Sequence, residues 1–171
     1  MATDATNQQH IKTKVVDDVL VICLDSPNSK VNSLGEAVTK EFETILKNFE
    51  TNSAVNSAVL ISGKPGCFVA GADISMLEKC KTKTEAQTIS HEAQNLFNRM
   101  ENGKKPIIAA ISGVCLGGGF ELALACHYRI ATKDKKTGLG LPEVMLGQLP
   151  SPYRLQSSQH LKSEQKISNK I

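Results

Sequence analysis

Glu121 is the only charged residue between Lys105 and Arg129, and the residues around it (Phe120, Leu122, Ala123, Leu124, Ala125 and Cys126) leave a helix there little polar surface. An ionised carboxylate in such a setting is paired, protonated or at work, because burying it alone is costly. Three readings stay open on the residues alone: Glu121 faces solvent, pairs with Arg129, or acts on a ligand. Glu143 has a comparable setting, between the apolar strings GLGLP and VMLG. Two glutamates in apolar surroundings could share one water as general base and general acid.

Two glycine-rich loops accompany them. GCFVAGAD (residues 66–73) and GVCLGGG (residues 113–119) each follow an apolar run and precede a helical pattern. Glycines let a backbone approach a ligand closely, and a helix N-terminus presents unpaired N–H groups. Two such turns side by side could aim two donors at one oxygen, the arrangement that stabilises a developing oxyanion. A glycine triplet before a helix also serves as a plain tight turn. The spacing matches neither a P-loop nor a dinucleotide fingerprint. His10, His91, His127 and His160 have no serine or cysteine elbow beside them, so a nucleophilic triad has little support.

The elements that must position these residues can be read from periodicity. VVDDVLVICLD (15–25) reads as a strand or hairpin ending at Ser26-Pro27-Asn28. Ser33 and Glu36 fit a capping box, and Leu34, Val38, Phe42, Ile45, Leu46 and Phe49 recur at helical spacing, which predicts a helix over 34–50. SAVLIS (57–62) and IIAAIS (107–112) read as buried strands and 128–132 as a third. Helices are expected over 72–79, 83–101 and 116–126. Short buried strands alternating with helices predict an α/β fold with a largely parallel sheet. No internal repeat is visible.

Composition narrows the function classes. The 171 residues are 40% hydrophobic and 22% charged, an ordinary globular mixture that allows about one domain. Five Phe, two Tyr and no Trp argue against a stacking platform for single-stranded nucleic acid. The net charge of +3 belongs to residues 133–171, which hold seven Lys/Arg against three Asp/Glu, so the rest carries no basic footprint for DNA or RNA. Five cysteines without a CxxC pair or zinc spacing suggest free thiols and no metal site. The first residues show neither a secretory signal nor a clear transit peptide, and the uncharged run 106–120, with its glycine triplet, reads as core and not as a transmembrane span.

The strings GCFVAGADISML, PIIAAISGVCLGGGFELALAC, YRIATKD and LPEVMLGQLP resemble the crotonase, or enoyl-CoA hydratase, superfamily. SPNSKVNSL and KDKKT make the chain most similar to the hydratase domains of multifunctional β-oxidation α-subunits of mitochondria and bacteria. The resemblance implies an α/β fold, a crotonase-like spiral of ββα units. It also implies hydration of trans-2-enoyl-CoA to 3-hydroxyacyl-CoA. The N–H groups of Ala72 and Gly118 would form the oxyanion hole, and Glu121 and Glu143 would hold and activate the water. CoA would lie along the turn near Lys30-Val31-Asn32 and across Ala72, Asp73, Ile74 and Gly118, although Ser75 stands where many hydratases have lysine. No metal or redox cofactor takes part, the coenzyme A thioester being the substrate. The resemblance further implies a mitochondrial location and a homo-oligomer or multienzyme β-oxidation complex.

The expected organisation is an N-terminal extension (1–14), a partial hydratase domain (15–150) whose C-terminal helical part is missing, and a divergent, flexible tail (151–171). From that change at Ser151 comes an alternative: a truncated isoform that binds acyl-CoA or a partner without catalysis. Within enzymes the alternative is an enoyl-CoA isomerase.

Overall fold

The computed structural model describes residues 9–73, 76 and 82–142, which form eight strands and three helices. β1 (Ile11–Val16) and β2 (Val19–Leu24) make an antiparallel hairpin across Asp17-Asp18. Asp17 takes φ 56°, a left-handed conformation that aspartate tolerates better than most residues. α1 (Glu36–Thr51) follows. Thereafter the chain repeats a pattern of long strand, short strand, helix. β3 (Ser57–Ser62), β4 (Cys67–Val69) and α2 (Lys83–Glu101) form one unit. The next is β5 (Ile107–Ile111), β6 (Val114–Leu116) and α3 (Gly118–Ala125), and then come β7 (Tyr128–Ala131) and β8 (Gly138–Gly140).

The long strands join a five-stranded sheet in the order β1-β2-β3-β5-β7, parallel from β2 onward, and the short ones join a parallel sheet β4-β6-β8. This is the expected spiral of ββα units. The core lies between the long sheet and the helices. α1 buries Val38, Phe42, Leu46 and Phe49, a single stripe at helical spacing, against Leu96, Phe97 and Met100 of α2. From the sheet come Ala58 and Leu60 of β3 and Ile107, Ala109 and Ile111 of β5.

Several expectations change. The repeat was not visible in the sequence because its second strands are three residues long, too short for an alternation to show. The capping box is not formed: α1 begins at Glu36 with Gly35 as N-cap and no capping bond from that residue. Leu34 is instead drawn into a bridge with Ala72, so tertiary pairing overrides the local signal. β1 starts at Ile11, earlier than the strand or hairpin expected over 15–25, because exposed Lys12 and Lys14 hide it, while Ile11 is fully buried opposite Leu24. α3 is shorter than the expected 116–126. Most of the helix expected over 72–79 and all of 143–171 lie outside the described residues.

Candidate active site

β4 and β6 are parallel neighbours, with Cys67 paired to Val114 and Val69 to Cys115. Their carboxyl ends therefore lie together, the place where α/β folds bind ligands. Gly71-Ala72-Asp73 leaves one end and Gly117-Gly118 the other. Ala72 bridges Leu34 through bonds from Leu34 N to Gly71 O (2.8 Å) and from Asp73 N to Leu34 O (3.0 Å). In a parallel bridge of this kind the N–H of Ala72 itself points to the opposite side. Gly118 lies on that side. As the first residue of α3, its N–H has no acceptor within the helix.

Two members of the glycine triplet, Gly117 and Gly119, are required by the backbone. Gly117 takes φ 51°, which starts the turn. A Cβ on Gly118 would sit 3.5 Å from Ala72 N, an ordinary contact distance that shows how near Gly118 stands to the Ala72 N–H. A Cβ on Gly119 would sit 2.4 Å from Val69 O, so only glycine lets α3 approach β4.

Glu121 is 8% exposed, which removes the solvent-facing reading. It occupies the first turn of α3, where the helix end favours negative charge, and its N–H donates to Gly117 O (3.0 Å). Arg129 Nη1 donates to the carbonyls of Ala123, Leu124 and Cys126 at the other end of α3, at 3.3, 3.2 and 2.8 Å. A cleft of about 950 Å³ between α1, α2 and α3 is lined by Ala72, Asp73, Gly118 and Glu121 and walled by Leu34, Val38, Phe42, Leu96, Phe97 and Leu122. Two outward donors and one buried carboxylate thus face a trough with apolar walls, which is also lined by the charged side chains of Glu36, Lys40, Glu43, Glu85 and Glu92. Such a trough can receive an acyl group with its carbonyl at the donors. Among the described residues no group of three His, Cys, Asp or Glu could hold a metal ion, and no helix is long and apolar enough to cross a membrane.

The model of the enoyl-CoA hydratase/isomerase family matches residues 15–160. The chain belongs to that family. Its fold is the crotonase fold: an enoyl-CoA hydratase from Bacillus anthracis superposes with a TM-score of 0.81 at 29% identity, over 90% of this chain and 58% of that one. The human mitochondrial Δ3-Δ2-enoyl-CoA isomerase does so with 0.78 at 28% identity, over 89% and 58%. In sequence, the fatty acid oxidation complex subunit alpha of Idiomarina loihiensis is 46% identical over 134 residues, 78% of this chain. The chain spans about one fifth (19%) of that relative's length.

Within this hydratase/isomerase fold the expected site residues divide. Ala72, Asp73, Gly118 and Glu121 come together at the cleft. Asp73 also turns its carboxylate toward the start of α1, Oδ2 lying 3.2 Å from where a Cβ on Gly35 would be. Lys30 is exposed on the segment between β2 and α1 and does not line the cleft. Ile74 and Glu143 lie outside the described residues.

The four described cysteines, Cys23, Cys67, Cys115 and Cys126, are free. Burial pushes the thiols of Cys115 and Cys126 up to about 12, which keeps both protonated and inert at neutral pH. The resemblance placed Asn32 only in the turn near CoA; the structure shows it 2% exposed and hydrogen-bonded at the base of the Ala72 loop. That structural role had no local signal beyond a polar residue in a turn-rich segment.

Proposed function

We propose that this chain carries enoyl-CoA hydratase chemistry, adding water across trans-2-enoyl-CoA to give 3-hydroxyacyl-CoA as a step of fatty-acid β-oxidation. The observation that carries this reading is the convergence of the Ala72 and Gly118 turns with buried Glu121 in one apolar-walled cleft. The two N–H groups receive the thioester oxygen and stabilise the charge that develops on it as the C2–C3 double bond is attacked. Glu121 and Glu143 hold the water: one O–H bond breaks, oxygen bonds to C3, and a proton is delivered to C2. The roles of Glu143, and of Lys30, Asp73 and Ile74 as CoA contacts, rest on the family resemblance. The reaction as written needs no metal and no redox cofactor.

Assembly into a fatty acid oxidation complex is supported by the 46% identical relative, a subunit of such a complex, while a homo-oligomer rests on the family resemblance. A mitochondrial location rests on the resemblance alone, since the named fatty acid oxidation relative is bacterial. The test is loss of the conjugated-thioester absorbance of crotonyl-CoA on addition of the folded chain. Turnover that Glu121→Gln lowers by about 100-fold or more supports the reading. Saturable acyl-CoA binding without turnover points instead to the non-catalytic alternative, and conversion of a 3-enoyl-CoA in preference to hydration points to the isomerase.

A further inference from the structure

The hydrogen bonds of Asn32 converge on the loop that carries the Ala72 donor. Its Nδ2 lies 2.9 Å from Leu24 O, 2.9 Å from Ser62 Oγ and 3.2 Å from Phe68 O, and its Oδ1 accepts from Ser26 N at 3.0 Å. Leu24 O and Phe68 O can only accept, which fixes the nitrogen side of the amide. Ser62 Oγ donates to Cys67 O (2.5 Å) and accepts from Lys64 N (3.0 Å), so toward Asn32 it too is an acceptor. One buried amide therefore ties together the ends of β2, β3 and β4. The backbone continues the same link: Ala70 N donates to Asn32 O (2.8 Å), Leu34 N to Gly71 O (2.8 Å) and Asp73 N to Leu34 O (3.0 Å).

Asn32 does not line the cleft. We propose that Asn32 is the positioning residue for the Ala72 N–H, its side chain locking residues 26–34 to the strand ends so that the Leu34–Ala72 bridge holds the donor opposite Gly118. This deepens the hydratase reading and rests on it for its catalytic consequence. Asn32→Asp keeps the shape and places an oxygen where three acceptors need a donor. Ser62→Ala removes one of those acceptors and leaves the amide.

The test on the full chain is native-state hydrogen exchange together with kinetics on crotonyl-CoA. Asn32→Asp should speed exchange at the amides of Leu34, Ala70 and Asp73 by about 10-fold, while Leu60 and Ala109 in the long sheet keep theirs. The kcat should fall by about 100-fold, as when an oxyanion donor is lost, with KM changed by less than about threefold. Ser62→Ala should show the same pattern more weakly, and it decides the matter if Asn32→Asp does not fold. Unchanged exchange at those three amides, or a uniform rise across the long sheet with KM and kcat moving together, overturns the proposal. If the unsubstituted chain does not turn over crotonyl-CoA, the hydratase reading fails, and the exchange pattern still decides whether Asn32 sets the loop.

Discussion

α1 and α2 line two cavities, one at each end of the strands they cover. The first is the 950 Å³ cleft with Ala72, Gly118 and Glu121. The second, of about 750 Å³, lies at the C-terminal ends of the same helices, over Leu46, Phe49, Met100 and Ile107. Both have apolar walls from the same helix pair, and their sizes are similar. They differ in what the backbone does there. At the far cavity the carbonyls of Phe49 and Asn52 at the end of α1 are already capped by Lys105 Nζ at 2.8 and 2.6 Å, with the ammonium 5.3 Å from the Phe49 ring. Arg99 is paired with Glu50 at 2.7 Å. At the near cleft two N–H groups point outward at strand ends beside a buried carboxylate. Volume and apolarity make a hollow; convergent polar groups on rigid elements make a site.

That contrast can be broken in several ways. The largest effect is expected from Glu121→Gln, which should remove about 100-fold or more of any hydration rate while leaving the melting temperature close to that of the parent chain; a mutant of undiminished rate would abolish the distinction between the two hollows. Gly119→Ala comes next. Its Cβ must displace Val69 at the end of β4, at about 1 to 3 kcal/mol of stability. It should also shift the Ala72 loop, so that calorimetry and turnover both fall.

Lys105→Met acts at the far cavity, where loss of the two carbonyl bonds and the cation over Phe49 should lower stability by about 1 to 2 kcal/mol in denaturant titration. Specific activity of the folded fraction should not change. A fall in it would show that the far cavity takes part in the chemistry. The smallest effect is a pH dependence at the strand ends near the site. Hydrogen bonds from Lys12 and Lys64 hold the Asp25 carboxyl down at about 2. A folded value below the usual one near 3.9 stabilises the fold above that pH and ceases to do so as the pH falls toward 2. The melting temperature of Asp25→Asn should therefore converge on that of the parent chain between about pH 4 and pH 2. A constant gap across that range would mean that the carboxylate pairings contribute nothing.

Much of this arrangement was legible in the residues, for reasons that can be named. β3 was read at its full extent and β5 to within a residue because buried parallel strands are continuous apolar runs, and α2 matches the helix expected over 83–101. Glu121 was legible because a lone carboxylate among apolar residues has few bland explanations, and its burial bears that out. The short strands were not, since CFV, VCL and GLG acquire meaning only by pairing with one another across 24 to 47 residues of chain. Ser33 misled because its cap was local while Leu34 answered to Ala72. The hydrogen bonds of Asn32, a residue read only as part of the CoA turn, stayed hidden for the same reason, since its partners Ser62 and Phe68 are 30 and 36 residues away.

The pairing of β4 with β6 has a consequence for how the donor spacing is set. Neighbouring strands lie about 4.7 to 4.9 Å apart whatever their side chains. The turns that leave these two strands start from that interval, so main-chain pairing sets the scale on which the Ala72 loop is then held opposite Gly118. A side-chain pair would have to reach that separation through rotamers and could lose it by substitution. Here the spacing starts from main-chain pairing, and the side chains that wall the cleft can vary without changing that pairing.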